Sequence, residues 1–552
     1  MLQKLKKLSI PRSPTKLLKH QRVTPAHDPE LFVDLYRYCR QDVRTEKAVG
    51  AAVPALSEFE LKVWMLDQEI NERGVQVDLE GIENCIRVVE ATVVKYAQRL
   101  CEILGDPTVT IDQVEKLRTW VNSHGIHKML SFDKAAVTDA LRSLESYVGT
   151  KRIRDIREVL EIRQALGAKS IQKLYTMQRT TCRDGRIQGL FEYCGARQTG
   201  RWAGKFAQPH NLMNHGPAIA RVDEFLRFIE NIDFSLSENL KIIESAYGNV
   251  LDTVGSVLRG LFIAAPGKDL ICSDYSAIEA IIVAELAEET WRQEVFRTHG
   301  KIYEASVSKM MNIPLEAVTE KLRQTGKTRE LALGFGGTLG SYRKFEEGDP
   351  KSDEEIYREI DDWRDDSPKI CGTRKRMGRN LWIREGGLWQ GLDKAARGAV
   401  ANPSMPFTYK YITYDMDDGN LRCLLPSGRY LYYHDAKMEM GEYGLEITFW
   451  GWNSDSLRGP VGWMKKRLWF GQLIENIAQA IARDILAHAM LNLNTCGYPP
   501  VLHIHDEPVS EIDKGFGSVG EFEFIMNIMP PWASGWPIKA KGGWRGRRYR
   551  KG

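Results

Sequence analysis

The stretch LICSDYSAIEAIIVAEL, residues 270–286, sets an aspartate after an apolar run and a glutamate five positions later. Leu270 to Ser273 read as a largely buried strand that Asp274 ends. The spacing of Ile278, Ile281, Ile282 and Leu286 is helical, which puts Glu279 in a first helical turn. An acid at a strand end is often only a helix cap, so its chemical reading depends on a second acidic site. That site is VLHIHDEPVSEI, residues 501–512. Strand alternation puts His503 and His505 on one face and Leu502 and Ile504 on the other, with HDE where a hairpin would turn. His-x-His-Asp could open a zinc-hydrolase site, but that needs further imidazoles, and the eleven histidines form no other tight cluster. Two aspartates on neighbouring strand ends, completed by water and phosphate, are the oxygen donors that Mg²⁺ takes. Between the two sites lies LRQTGKTRELALGFGGTLG, residues 322–340, whose GKT lacks the first glycine of a P-loop because Lys321 stands there. It reads as a helix with Arg323, Lys327, Leu331 and Phe335 at four-residue intervals, a stripe about 18 Å long with cations at one end and a ring at the other. A nucleoside triphosphate has the same polarity. The bland alternative is a solvated helix with a hydrophobic end.

In that order, DYSAIE, R-x3-K-x7-FG and HDE resemble motifs A, B and C of the family A DNA polymerases. Three further segments agree. GARQTGRWAGKFAQPHNL (195–212) resembles the family's primer- and template-contacting segment, LPSGR (425–429) is similar to its phage-type members, and GQLIENIAQAIARDIL (471–486) resembles the helix of its template-contacting glutamine. The likeness runs from about residue 31 to the C-terminus. It implies an α+β right-hand fold with a helical thumb, an antiparallel-sheet palm and helical fingers. It also implies a template-directed enzyme that adds dNTPs to a primer 3′-hydroxyl with two Mg²⁺ ions, Mn²⁺ being an alternative.

By the same resemblance Asp274 and Asp506 hold metal, with the Tyr275 carbonyl as a further ligand and Glu507 as a supporting acid. Arg323 and Lys327 meet the triphosphate, Lys327 as proton donor to pyrophosphate, and Leu331 and Phe335 complete the dNTP site. Glu279 is the steric gate against a ribose 2′-hydroxyl. Arg201, Gln208, Asn211, Gln479 and His505 contact primer–template DNA. A catalytically dead DNA-binding remnant and an HxHD metal hydrolase are the alternatives; the intact aspartates and the Lys/Arg pair disfavour the first, and the missing ligands the second.

The chain departs from the family pattern at three places. Phe335 stands where a tyrosine usually tethers the gate glutamate, so Glu279 is expected to be looser and ribonucleotide exclusion weaker. Leu331 has no hydroxyl to replace a missing 3′-hydroxyl, so dideoxynucleotides should be rejected. Ile281 replaces an arginine near the primer end. Upstream, YCRQD resembles the third motif of DnaQ-like 3′–5′ exonucleases through Tyr38 and Asp42. The earlier acids Asp28, Glu30 and Asp34 form no Asp-x-Glu, so this part reads as a truncated remnant without self-contained proofreading, one that a second polypeptide could complete.

These residues need elements to hold them. The 552 residues are too many for one core. The expected division is a remnant at 1–54, a mainly helical thumb at 55–190, palm at 191–300, fingers at 301–400, and the rest of the palm with a basic tail at 401–552. A net charge of +4 means that any polyanion must be met by local Lys and Arg rather than bulk charge. Nine cysteines without a CxxC pair argue against a zinc cluster or disulfide framework and suit a reducing compartment. No apolar run is long enough to span a bilayer. Seven Lys or Arg in the first 22 residues suggest a transit peptide, but Pro11 and Pro14 interrupt any amphipathic helix. A phage or prophage origin, the bacterial host cytoplasm and a processivity partner are implied by resemblance alone.

Overall fold

The computed structural model describes residues 24–550 apart from 111, 125–127, 148, 168, 213–218, 234–236, 346–350, 378–381, 443 and 455–458. The basic segment 1–22 therefore lies outside the described residues. The chain divides into two units, Met1–Met65 and Leu66–Gly552. In the first, helix Pro29–Ala52 starts where Asp28 accepts a hydrogen bond from the Leu31 amide and Pro29 presets the first turn, and it buries no residue. Pro54 follows its end and disfavours continuation.

The second unit carries the site. Its helical part is built on Leu79–Leu104, capped by Asp78 and closed by Gly105 at φ +66°, a left-handed turn that glycine adopts without strain. Ile82, Cys85, Ile86 and Val89 form its buried stripe at helical spacing. A separate apolar cluster surrounds Lys151–Leu166 through Ile156, Val159 and Leu160. Helices Ile219–Glu230, Ser237–Tyr247 and Val250–Val257 also pack against Leu79–Leu104, with Lys95 paired to Glu244 at 2.7 Å.

A four-stranded antiparallel sheet has the order Pro500–Ile504, Glu507–Asp513, Lys268–Tyr275, Ala540–Gly546. The last strand shows that most of the C-terminal basic segment is part of this sheet and not a free tail. Arg545 pairs with Asp269, Arg548 pairs with Asp78 and Asp223, and Tyr549 is fully buried, while Lys539, Lys541, Arg547 and Arg550 remain exposed. Lys551 lies outside the described residues.

Against this sheet runs helix Phe470–Thr495, with Leu473, Ile477, Ile481 and Ile485 in the main core. Helix Ile278–Ala287 joins the same core and is buried nearly all round, so its apolar residues form no single stripe. Helices Ile302–Met311 and Glu320–Leu333 pack closely at Gly326, where a Cβ would sit 2.1 Å from the Tyr303 carbonyl oxygen. A six-stranded antiparallel sheet spanning Phe407–Leu468 adds its inner face to this core. Among the described residues no helix is long and apolar enough to cross a membrane.

Candidate active site

The two acidic motifs meet through strand register. Cys272 pairs with Val509 and Ile271 with Ser510. Continuing that antiparallel register by two residues brings Asp274 opposite Glu507 and beside Asp506. Asp274 lies within its strand, which ends at Tyr275 rather than at the aspartate. Ile504 pairs with Glu507, so His505 and Asp506 form a two-residue hairpin loop, with His505 at φ +56°. His505 is thus a turn residue and exposed, while His503 remains in the strand and buried. Ala277 is also left-handed, at φ +53°, just before Glu279. Non-glycine residues in this region store strain that the surrounding packing must hold.

Asp506 lines a cleft of about 1070 Å³ together with Glu279, Arg201, Gln479, His505, Leu331 and Phe335. Glu507 faces away from it. Its two carboxylate oxygens accept from Cys272 Sγ at 3.1 Å and Tyr549 Oη at 2.9 Å, and burial raises its pKa. The Tyr275 side chain is buried and donates to the Met526 carbonyl at 2.5 Å.

Glu279 is not loose. Arg201 Nη2 donates to its Oε1 at 2.5 Å, a contact that supplies the tether Phe335 lacks. Arg201 is itself positioned by three contacts that sequence reading missed. Trp202 Nε1 donates to Asp67 at 2.9 Å. Arg483 Nε, on the glutamine helix, donates to the Gly200 carbonyl at 3.1 Å. Arg429 of LPSGR reaches Asp484 at 2.8 Å and the Thr199 carbonyl at 3.0 Å. Gly200 has φ +77°, and a Cβ there would meet Arg429 Nη1 at 2.7 Å, so both backbone and space call for glycine.

On helix Glu320–Leu333 the stripe is only partly realised. Glu330, Leu331 and Ala332 line the cleft, and so does Phe335, two residues past the helix end. Lys327 and Arg323 lie one and two turns earlier and do not line it. Arg323 pairs with Glu304 at 3.1 Å and Glu320 at 3.2 Å, whereas Lys327 is half-buried and has no ion pair among the described residues. The helix is locked by a buried ion pair between Glu330 and Arg292, which the sequence did not single out.

A sequence model of DNA polymerase family A matches residues 87–339, which include motifs A and B. A DNA polymerase of Bacillus phage SP02 is 33% identical over 550 residues, covering 97% of this chain and 78% of the phage protein. The chain belongs to DNA polymerase family A. DNA polymerase I of Pseudomonas aeruginosa is 32% identical over 82 residues, 15% of this chain and 9% of that protein. In fold the chain is similar to the POL domain of Pol1 from M. smegmatis in complex with DNA primer-template and dNTP, with a TM-score of 0.57 and 16% identity over 99% of this chain and 81% of that one.

Polymerases of family A are metal-dependent. The two aspartates, one near the end of its strand and one in the adjoining hairpin loop, supply the oxygen donors that suit a hard divalent cation. Among the described residues no three of His, Cys, Asp and Glu converge as a self-sufficient metal site. His210, which sequence reading left aside, packs against His503 and His505 with ring centroids 5.6 and 5.3 Å away. Burial, then the neighbouring His505, Arg201 and Arg259, hold its pKa down to about 4. Gln208 and Asn211 are exposed on the same segment, where Asn211 Nδ2 donates to Gln208 Oε1 at 3.3 Å. Gln479 lines the cleft and donates to Glu475 at 3.1 Å. Tyr38 and Asp42 stand one turn apart on helix Pro29–Ala52, and Asp42 raises the Tyr38 pKa.

Proposed function

We propose that Asp274 and Asp506 are the metal-holding pair of this template-directed DNA polymerase and that the metal is Mg²⁺. The observation that carries this reading is the strand register that brings both aspartates to one end of the palm sheet, with Asp506 on a cleft shared with Glu279, Arg201 and Gln479. When bound, the divalent ions supply the positive charge that activates the primer 3′-hydroxyl and offsets charge on the transferred phosphoryl group. Asp274 and Asp506 orient those charges from a rigid sheet. Lys327, which has no ion pair among the described residues, carries a proton at Nζ that can pass to the departing pyrophosphate, and Arg323 offers a second cation once it leaves Glu304 and Glu320. Because neither cation lines the cleft here, this role calls for movement of the helix toward the palm on dNTP binding. Glu279 fills the space a 2′-hydroxyl would need, and Leu331 and Phe335 offer an apolar wall to the nucleotide. Gln479, His505, Gln208 and Asn211 offer polar groups to primer–template DNA.

In this reading residues 55–190 act as thumb, 191–300 and 401–552 as palm, and 301–400 as fingers, with an exonuclease-like remnant before residue 55. Primer extension with dNTPs and Mg²⁺ tests it. Asp274→Ala and Asp506→Ala should each lower the rate by several orders of magnitude while DNA binding and circular dichroism are retained. Substantial extension by either variant would move the metal site elsewhere.

A further inference from the structure

The six-stranded sheet spanning Phe407–Leu468 has two unlike faces. Tyr414, Cys423, Tyr433, Phe449 and Leu468 point inward to the core. On the other face, cross-strand register aligns Trp450 with His434 and Lys465, and Trp452 with Trp463. Tyr432, Trp450, Trp452 and Trp463 remain 42%, 42%, 38% and 51% exposed. The Trp452 and Trp463 ring centroids are 6.3 Å apart, and His434 lies 5.4 Å from Trp463. Arg197, four residues before Arg201, stacks over Trp452 at 4.3 Å.

Such a concentration of rings on one solvent-facing sheet surface marks an interaction site, and two observations identify the occupant. First, the nearby cations are largely committed: Lys465 is paired with Glu439 at 2.7 Å and Arg467 with Glu446 at 3.1 Å. The face therefore offers stacking more than net charge, which suits unpaired bases and not duplex DNA, whose bases are already stacked. Second, Met464, Lys465 and Arg467 of the edge strand also line the cleft that holds Asp506 and Glu279. A strand lying in the cleft can continue onto this face. In template-directed synthesis the product side is duplex, and only the template ahead of the insertion point is single-stranded.

We propose that this aromatic face is a stacking platform for the single-stranded template ahead of synthesis. The inference rests on the polymerase reading above and adds a surface to it. The test compares binding of the full chain to labelled primer–templates with the same duplex and template overhangs of about 2 or about 12 nucleotides, the first shorter than known single-strand site sizes and the second within their range. Wild type should bind the long overhang about tenfold more tightly, and the long overhang, but not a blunt duplex, should quench tryptophan fluorescence. In Trp450→Ala/Trp463→Ala the gain should fall below about twofold, while extension on the short-overhang template persists. Loss of extension on that template together with loss of the folded circular dichroism signal would shift the test to the wild-type quenching, whose absence overturns the platform. An equal affinity of wild type for both overhangs, or a gain that survives the double substitution, also overturns it. So does self-association that the double substitution abolishes without any overhang effect, which would assign the face to a second copy. Extension by wild type with no overhang gain sinks the platform alone, whereas no extension at all sinks the polymerase reading.

Discussion

Glu279 shows how one side chain's surroundings change a prediction. Phe335 cannot hydrogen-bond the gate, yet Arg201 does so at 2.5 Å with both side chains mostly shielded. The ratio of dNTP to rNTP kcat/KM should therefore change by less than about twofold in Phe335→Tyr, because the carboxylate already has a donor. Arg201→Ala should lower that ratio by about fivefold, the effect of about 1 kcal/mol for one partly shielded ion pair. Single-nucleotide kinetics on the same primer–template measure both. A larger effect from Phe335→Tyr than from Arg201→Ala would return the gate to the ring.

Among the elements, the contacts between the 195–212 segment and helix Phe470–Thr495 decide where Arg201 stands. Asp484 is buried and holds both Arg429 and Arg483. Removing it strands two guanidinium groups with low exposure, so Asp484→Ala should destabilise the fold by about 3–5 kcal/mol. It should also weaken primer–template binding by loosening Gly200. The pair Arg422–Asp417, more open to solvent, is the control: Asp417→Ala should cost less than about 1 kcal/mol. Urea unfolding midpoints of the two variants check the contrast, and equal shifts would show that the LPSGR clamp is not structural.

For the molecule as a whole, burial of the histidine cluster couples stability to pH. The folded-state pKa of His210, about 4, lies below the ordinary histidine value of about 6.5, and that of buried His503 is also depressed, chiefly by burial. The unfolded chain therefore takes up protons that the folded chain does not, and this stability is present above about 6.5 and lost as pH falls toward about 4. Asp67 works the other way. Burial raises its pKa to about 6, so its contribution is lost as pH rises through that value. Measured as the difference from wild type, His210→Gln should relieve the acid loss by on the order of 1.4 kcal/mol per pH unit between about 6.5 and about 4. Parallel stability curves for the two proteins across that range would show that His210 titrates normally in the fold.

Local chemistry was legible from residue order. The strand before Asp274, the hairpin at HDE, the helix bearing Leu331 and the first-turn position of Glu279 follow from hydrophobic period and short motifs, which depend on neighbours in the chain. What joined them was not. That Asp274 and Asp506 come to the same end of one sheet depends on pairing between strands more than 200 residues apart. The Arg201 tether, the Arg429–Asp484 clamp, the Glu330–Arg292 lock and the folding of the basic C-terminal segment into the same sheet are likewise long-range pairings of charged residues. A charged residue in sequence looks the same whether it meets solvent, DNA or a buried partner. Only tertiary packing, which sets the distance and the dielectric between charges, decides among them.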